Sequence, residues 1–395
     1  MKENKNCDNK IVQKYILAIE KLSLNQVHFH TKEQTVSIFA RVSRLYYPTL
    51  NLVSKSFRCL LASPELYKVR SLLGNTESCL YVCSRFQDRH TNTTWFTLCR
   101  KPDQTLTNGT IKKSSGYVLA RVSNLHSPPL HSSSLVAVGS NIYNIAGSSY
   151  LESSSSVSIL DCRSHTWREA PSLREGLCSV SSSVLDRKIY VAGSCLDGDS
   201  YTYKNSFEVF DTETQFWDPD TITCSKTEGD FYGCGTACID GEFHVVPVGQ
   251  KREAVAYNSK EGRWDMVGQQ MDHYKFSASC EIQNVLYSCT HGVFRWYDTN
   301  AMMWRDLKGL VGLPMFGSGA NVKLADYGGK LTVLWEEELP SRGPDSGYKK
   351  MIRCAEIALE RRKSCEIWGI VEWFGDVLTE PVGYVVLEKV LDVTL

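Results

Sequence analysis

The side chains able to carry chemistry here are nine histidines, 15 cysteines and 44 carboxylates in 395 residues. They would serve metal ligation or acid–base and nucleophilic catalysis. Their spacing supports neither. Cys79-x3-Cys83 and Cys234-x3-Cys238 come nearest to a zinc pattern, yet neither has a histidine at finger spacing, and no Cys-x-x-Cys occurs. The histidines stand singly apart from His28-x-His30. There is no Gly-x-Ser-x-Gly elbow, phosphate loop or His-Glu-x-x-His. The reading is a non-enzymatic chain with no catalytic residue, no metal and no cofactor.

Composition narrows the partners. Lys and Arg total 44 and cancel the 44 acids, which argues against nucleic acid and against an anionic membrane. No apolar run approaches the ~18 residues needed to span a bilayer. The opening MKENKNCDNK lacks the apolar core of a signal peptide. The cysteines then read as reduced thiols behaving as small hydrophobes, and the expected location is cytoplasmic and/or nuclear.

The elements that would position any site repeat themselves. Ile142-Tyr-Asn-Ile-Ala-Gly147 returns as Ile189-Tyr-Val-Ala-Gly193. A turn precedes each: Gly139-Ser140 and Asp186-Arg187, and likewise Asp240-Gly241, Gln283-Asn284 and Gly328-Gly329. Gly, Asn and Asp accept the positive φ that two-residue hairpin turns require. The five restarts are 47, 54, 43 and 45 residues apart. A second signal runs alongside: Asp161 to Trp167, Asp211 to Trp217, Asn258 to Trp264 and Asp298 to Trp304, each six apart. Each reads as strand, polar turn and a strand opening on Trp; Glu360 and Trp368 give a looser fifth copy. Two hairpins per unit make four antiparallel strands, and radial sheets of that kind make a β-propeller. The tryptophans are expected to pack blade on blade. The Ala-Gly ending is expected where blades converge and large side chains would collide.

These residues resemble the kelch repeat: an apolar strand, two glycines, an acid-bearing turn and a Trp six later. The match covers roughly 130–373, and the double glycine is lost after Ala192-Gly193 (Val246-Pro247, Ser288-Cys289). Upstream, Cys79 to Phe86 and Thr94 to Arg100 read as two more strands, with Trp95 in the repeat position. The β-rich segment from Tyr384 to Val393 is expected to close the ring by completing this first blade, removing two exposed edges. The fold predicted is mainly β, a kelch-type propeller over 79–393 with six blades, five or seven being the neighbouring counts.

The N-terminal part differs in kind. Residues 1–29 read as a partly helical extension, with a helix over Gln13–Leu22. Val36–Val42, Tyr47–Leu61 and Pro64–Leu73 read as helices with an apolar face at Leu50, Val53, Phe57, Leu60 and Leu61. Ser63-Pro64-Glu65 is a helix start, with Ser as cap and Pro at the first position. The run from Ala40 to Arg58, continuing through Pro64-Glu65-Leu66, resembles the second half of an F-box, placed over 30–73. Together the two halves are similar to the plant F-box/kelch-repeat family. That resemblance implies a substrate receptor of an SCF-type ubiquitin ligase. The helices would dock on a Skp-family adaptor through Val42, Leu50, Val53, Phe57 and Leu60, and the propeller would hold a target protein. The same apolar face serves equally as internal core. The family's opening Leu-Pro-acid-acid-Leu-Leu is replaced by His30-Thr-Lys-Glu-Gln-Thr35. The alternative is therefore a kelch interaction protein uncoupled from the ligase. A propeller metalloenzyme is the third reading, although no Glu-x3-Asp-x3-His run is present.

Recognition of the target is expected on loops between blade strands, with Tyr201, Tyr203, Lys251 and Arg252 as candidate anchors. The basic residues Arg41, Arg44, Lys55 and Arg58 read as an exposed helix face rather than a phosphate site.

Overall fold

Turn chemistry sets the register of every inner hairpin. Asp186 and Arg187 lie at φ +48° and +61°, Asp240 and Gly241 at +54° and +77°, and Gln283 and Asn284 at +49° and +63°. Gly328 and Gly329 follow at +64° and +83°, and Gly139 at +56°. Positive φ, at both centres in all but the Gly139-Ser140 turn, matches the right-handed strand twist and joins the flanking strands by a tight turn. Leu185 therefore pairs with Lys188, Ile239 with Glu242, Ile282 with Val285 and Tyr327 with Lys330.

The computed structural model describes residues 32–86, 93–101, 104–105, 111–112, 116–122, 127–146, 153–196, 203–219, 222, 224, 233–247, 253–268, 271, 276, 278–316, 319–340, 348–363, 365–379 and 385–395. The extension 1–29, with its expected helix, lies outside them, as do His30, Gly147, Tyr201, Lys251 and Arg252.

Six sheets form the blades of the propeller. From the axis outwards, the second blade is Leu135–Val138, Asn141–Ile145, Val157–Asp161 and Thr166–Ala170. The third runs through Cys178–Leu185, Lys188–Leu196, Tyr203–Asp211 and Phe216–Trp217. The fourth and fifth begin at Cys234–Ile239 and Ser279–Ile282 and end at Arg263–Gly268 and Met303–Asp306. The sixth uses longer strands, Lys330–Pro340, Tyr348–Lys363 and Glu366–Thr379, outside Val322–Tyr327; Lys308–Gly309 adds a parallel edge. The first blade is closed by the C-terminus. Val385–Thr394 is its innermost strand and pairs antiparallel with Ser78–Phe86, followed by Thr93–Arg100 and Tyr117–Arg121.

Six apolar clusters fill the spaces between neighbouring blades. Leu80, Phe96 and Leu387 of the first blade meet Leu334, Ile352 and Val377 of the sixth. Ile145 and Ile159 of the second meet Ile189, Val191 and Phe210 of the third. The repeat tryptophans sit in these seams, each against the preceding blade. Trp167 packs on Trp95 with ring centroids 6.3 Å apart, and Trp217 joins the second–third cluster and donates its Nε1–H to the Pro171 carbonyl at 2.8 Å. Trp264 lies 4.7 Å from Phe207, and Trp304 lies among fourth- and fifth-blade residues. The acids explain the six-residue spacing. Asp211 Oδ1 accepts from the N–H of Glu213 and Thr214 at 2.8 and 3.0 Å, which fixes a four-residue turn before the Trp strand. Asn258 and Asp298 do the same two and three residues on, and Asp161 accepts from Arg163 N–H at 2.9 Å.

Four expectations are corrected. Tyr47–Leu61 is not one helix. It splits into α2 (Tyr47–Leu50) and α3 (Lys55–Leu61), because extended Ser54 caps α3 by accepting from Phe57 N–H at 3.1 Å. The first helix, α1, is Lys32–Phe39 and ends before Val42. Trp95 lies on the third strand of its blade, since Tyr117–Arg121 supplies the outermost one. Glu360 occupies no turn: its strand runs on to Lys363, and Glu360 pairs with Trp368, whose ring stacks with Arg362. Gly193 is crowded: an added Cβ would meet Leu177, which packs in the second–third seam, at 3.2 Å and the Cys178 carbonyl at 3.3 Å.

Candidate functional site

The helices ahead of the propeller build one small core. α1 to α3 and α4 (Pro64–Leu72) bury Val36, Phe39, Ala40, Tyr47, Leu50, Leu61 and Leu66 together. Ser63 caps α4, its Oγ accepting from Leu66 N–H at 3.4 Å. Leu50 is 2% exposed, so it is internal packing rather than surface offered to a partner. Val42, Phe57 and Leu60 are half-buried against the cluster, with Phe57 edge-on to Phe39 at 4.7 Å. Val53 is half-buried outside it. Of the candidate target anchors, Tyr203 is half-buried on the third blade, paired with Leu196; the other three lie outside the described residues.

A polar joint fastens this core to the first blade. Arg70 is 1% exposed, and its Nη1 donates to the carbonyls of Val42 and Ala40 at 2.7 and 3.3 Å and to Tyr47 Oη at 3.2 Å. Its Nη2 lies 3.4 Å from Glu77 Oε2, which also accepts from Arg44 N–H at 2.8 Å and Ser43 Oγ–H at 3.2 Å. Glu77 in turn exchanges backbone hydrogen bonds with Leu395 at 2.7 and 2.9 Å. The ring-closing strand and the helical core thus share one residue.

Beside the joint lies a cavity of about 1160 Å³. Helical residues form one wall, the first blade another, and the Arg163–His165 turn of the second blade a third. Arg44, Arg58, Arg121 and Arg163 line it, and Glu77 is the one carboxylate among the described lining residues. Arg44 donates from Nη1 to Tyr67 Oη, and its guanidinium lies 5.3 and 5.2 Å from the rings of Tyr47 and Tyr67. Arg163 is held by Asp161 through two bonds of 2.9 and 2.8 Å. Arg44 is therefore half-buried rather than on the exposed helix face expected from the sequence, whereas Arg58 is exposed on α3.

His165, at φ +56°, contacts Tyr81 Oη through Nε2 at 2.8 Å. Tyr81 donates its own proton to the Cys162 carbonyl at 2.9 Å, so the bridging proton belongs to His165 Nε2. Burial, and then the nearby Arg44, push this imidazole down to about 4. The same burial raises Cys79 to about 11 and Tyr67 to about 12, so neither is a nucleophile near neutrality.

The His165 shift has a sign that can be measured. Between pH 6.5 and 4 the unfolded chain binds a proton that the folded chain refuses. The stabilisation is whole above pH 6.5 and is lost as pH falls toward 4. After discounting for partial exposure, the intact protein should lose about 2 kcal/mol more than His165→Asn across that window. Asn tolerates the left-handed backbone and does not titrate. Urea unfolding at pH 7, 5.5 and 4 checks this; equal slopes for the two proteins would refute it.

Among the described residues no helix is long and apolar enough to cross a membrane, and no three His, Cys, Asp or Glu side chains gather as metal ligands would. Sequence reasoning missed Arg70, Glu77, Arg121 and His165. Only Arg70 left a signal: it continues the stripe Leu66, Tyr67, Arg70, an arginine on the buried face of a helix.

A six-bladed propeller with a small helical core docked at its ring-closing blade defines a kelch-type protein with an N-terminal helical module. The family model "FKB95, Kelch-repeats domain" matches residues 95–378. An F-box/kelch-repeat protein of Arabidopsis thaliana is 63% identical over 356 residues, covering 89% of this chain and 95% of the relative. Another from the same plant is 54% identical over 356 residues, 88% and 89% of the two chains. A third is 50% identical over 367 residues, 89% and 90% of the two. The chain belongs to the plant F-box/kelch-repeat protein family.

Proposed function

We propose that this chain is a non-catalytic substrate-recognition subunit of an SCF-type ubiquitin ligase, acting in the cytoplasm and/or nucleus. The helical module docks on a Skp-family adaptor, and the propeller holds the protein to be ubiquitinated. One observation carries the reading. The helices are tied through Arg70 and Glu77 to the strand that closes the ring, so a partner gripped by the helices is held in fixed relation to one gripped by the propeller. The names of its Arabidopsis relatives support the same reading.

Co-purification of the full chain with a recombinant Skp-family adaptor tests it. Stoichiometric co-elution is expected, weakened about tenfold by Val53→Asp, which charges a half-buried position outside the helical core. A chain that melts cooperatively and retains no adaptor would overturn the reading. It would favour a kelch interaction protein uncoupled from the ligase. That second reading rests on the polar opening of α1, Lys32-Glu33-Gln34-Thr35, where the resembled F-box start carries leucines.

A further inference from the structure

We propose that the cavity at the helix–propeller joint binds a small organic anion: a carboxylate or phosphate carried on an apolar or aromatic body. Charge is the first argument. Four arginines line the walls; Arg163 is paired with Asp161, and the one carboxylate among the described lining residues, Glu77, is already engaged by Arg70, Ser43 and the Arg44 backbone. Among the described residues, no carboxylate pairs with the guanidinium of Arg44, Arg58 or Arg121. Arg44 meets a phenol oxygen and two ring faces, and Arg58 meets the Asn51 carbonyl at 3.4 Å. Guanidinium groups lining a concavity, with N–H donors left over, recognise planar or tetrahedral oxyanions through paired hydrogen bonds.

The second argument is the rest of the wall. Pro48, Leu52, Leu98 and Tyr327 give it an apolar side, and Leu52 is 71% exposed for want of a cover. A bare phosphate would leave that side wet. The volume exceeds the roughly 300–1,000 Å³ typical of ligand pockets, and pockets favour junctions between structural units. Burial first, and Arg44 second, hold the His165 imidazole neutral near pH 7, so the wall's positive charge comes from its arginines. An anion seated here would touch the helices, the first blade and the second-blade turn together, and so would stiffen the joint.

The experiment is calorimetric titration of the full chain with 2-naphthoate, 2-naphthyl phosphate and the neutral 2-naphthylmethanol. At least one anion should bind with Kd below about 1 mM, and the alcohol at least about tenfold more weakly. The tighter anion identifies the head group. The double variant Arg58→Gln/Arg121→Gln alters two exposed side chains, so the free protein should melt unchanged while anion affinity falls about tenfold. No binding by either anion, equal binding of the alcohol, or undiminished affinity in a double variant that melts normally would each overturn the proposal. None of these outcomes depends on the adaptor.

Discussion

Deletion of residues 385–395 is expected to abolish cooperative folding. The segment forms the innermost strand of the first blade, in nine-residue register with Ser78–Phe86. It buries Leu387, Val390, Leu391, Val393 and Leu395, each at most 8% exposed. Its side chains enter two inter-blade clusters, Leu387 and Val390 toward the sixth blade, Leu391, Val393 and Leu395 toward the second. At about 1.5–3 kcal/mol per buried aliphatic side chain, the loss is roughly 8–15 kcal/mol. That equals the whole stability of an ordinary domain, about 5–15 kcal/mol. The gap would also expose the inner edge of Ser78–Phe86 to pairing with other chains. Size exclusion should show aggregates, and near-ultraviolet dichroism should show no cooperative melt. A truncated monomer melting within a few degrees of the intact chain would refute the Velcro-like role of this strand.

That closure was legible in the sequence because a β-rich tail followed the last repeat unpaired. The hairpins were legible for a local reason: residues that accept positive φ, such as Asp186, Asp240 and Asn284, mark turns wherever they fall. The Asp-to-Trp spacing was legible too, since an Asx-capped turn has a fixed length. The outer strand Tyr117–Arg121 was missed because it is separated from Thr93–Arg100 by a long insertion and carries no Trp. The break in Tyr47–Leu61 was missed because apolar periodicity continues across it, while a single serine at position 54 decides the boundary. The cavity was illegible for a different reason. Arg44, Arg121, Arg163 and Tyr327 come from four segments that meet only after the ring closes. Each alone reads as an ordinary surface residue, which is how the Arg41 to Arg58 patch was read.

Arg70→Ala is expected to unfasten the helices and leave the propeller standing. In the intact protein one guanidinium serves the carbonyls of Ala40 and Val42 beyond the end of α1, the Tyr47 hydroxyl and Glu77. Alanine would strand these acceptors and leave Glu77 without its cation. Stranding buried acceptors costs about 1–3 kcal/mol for each one left unpaired. Glu77, one-third exposed and still bonded by Ser43 and Arg44 N–H, adds less than a fully buried partner would. The helical core is too small to absorb that, with seven buried apolar residues among the described ones. The blades are untouched, because α4 contributes only Tyr67 to the first–second seam. Two transitions should therefore replace one: an early melt of residues 32–72, then the propeller. Brief trypsin treatment should cut the variant among those helices and leave a resistant fragment beginning near Ser78. Arg70→Lys should fall between, because a point charge on a flexible stem can reach Glu77 or the carbonyls but cannot fork to both. If Arg70→Ala melts in one step with native protease resistance, the joint holds by apolar contact alone. The fixed geometry between the helices and the propeller would then need another cause.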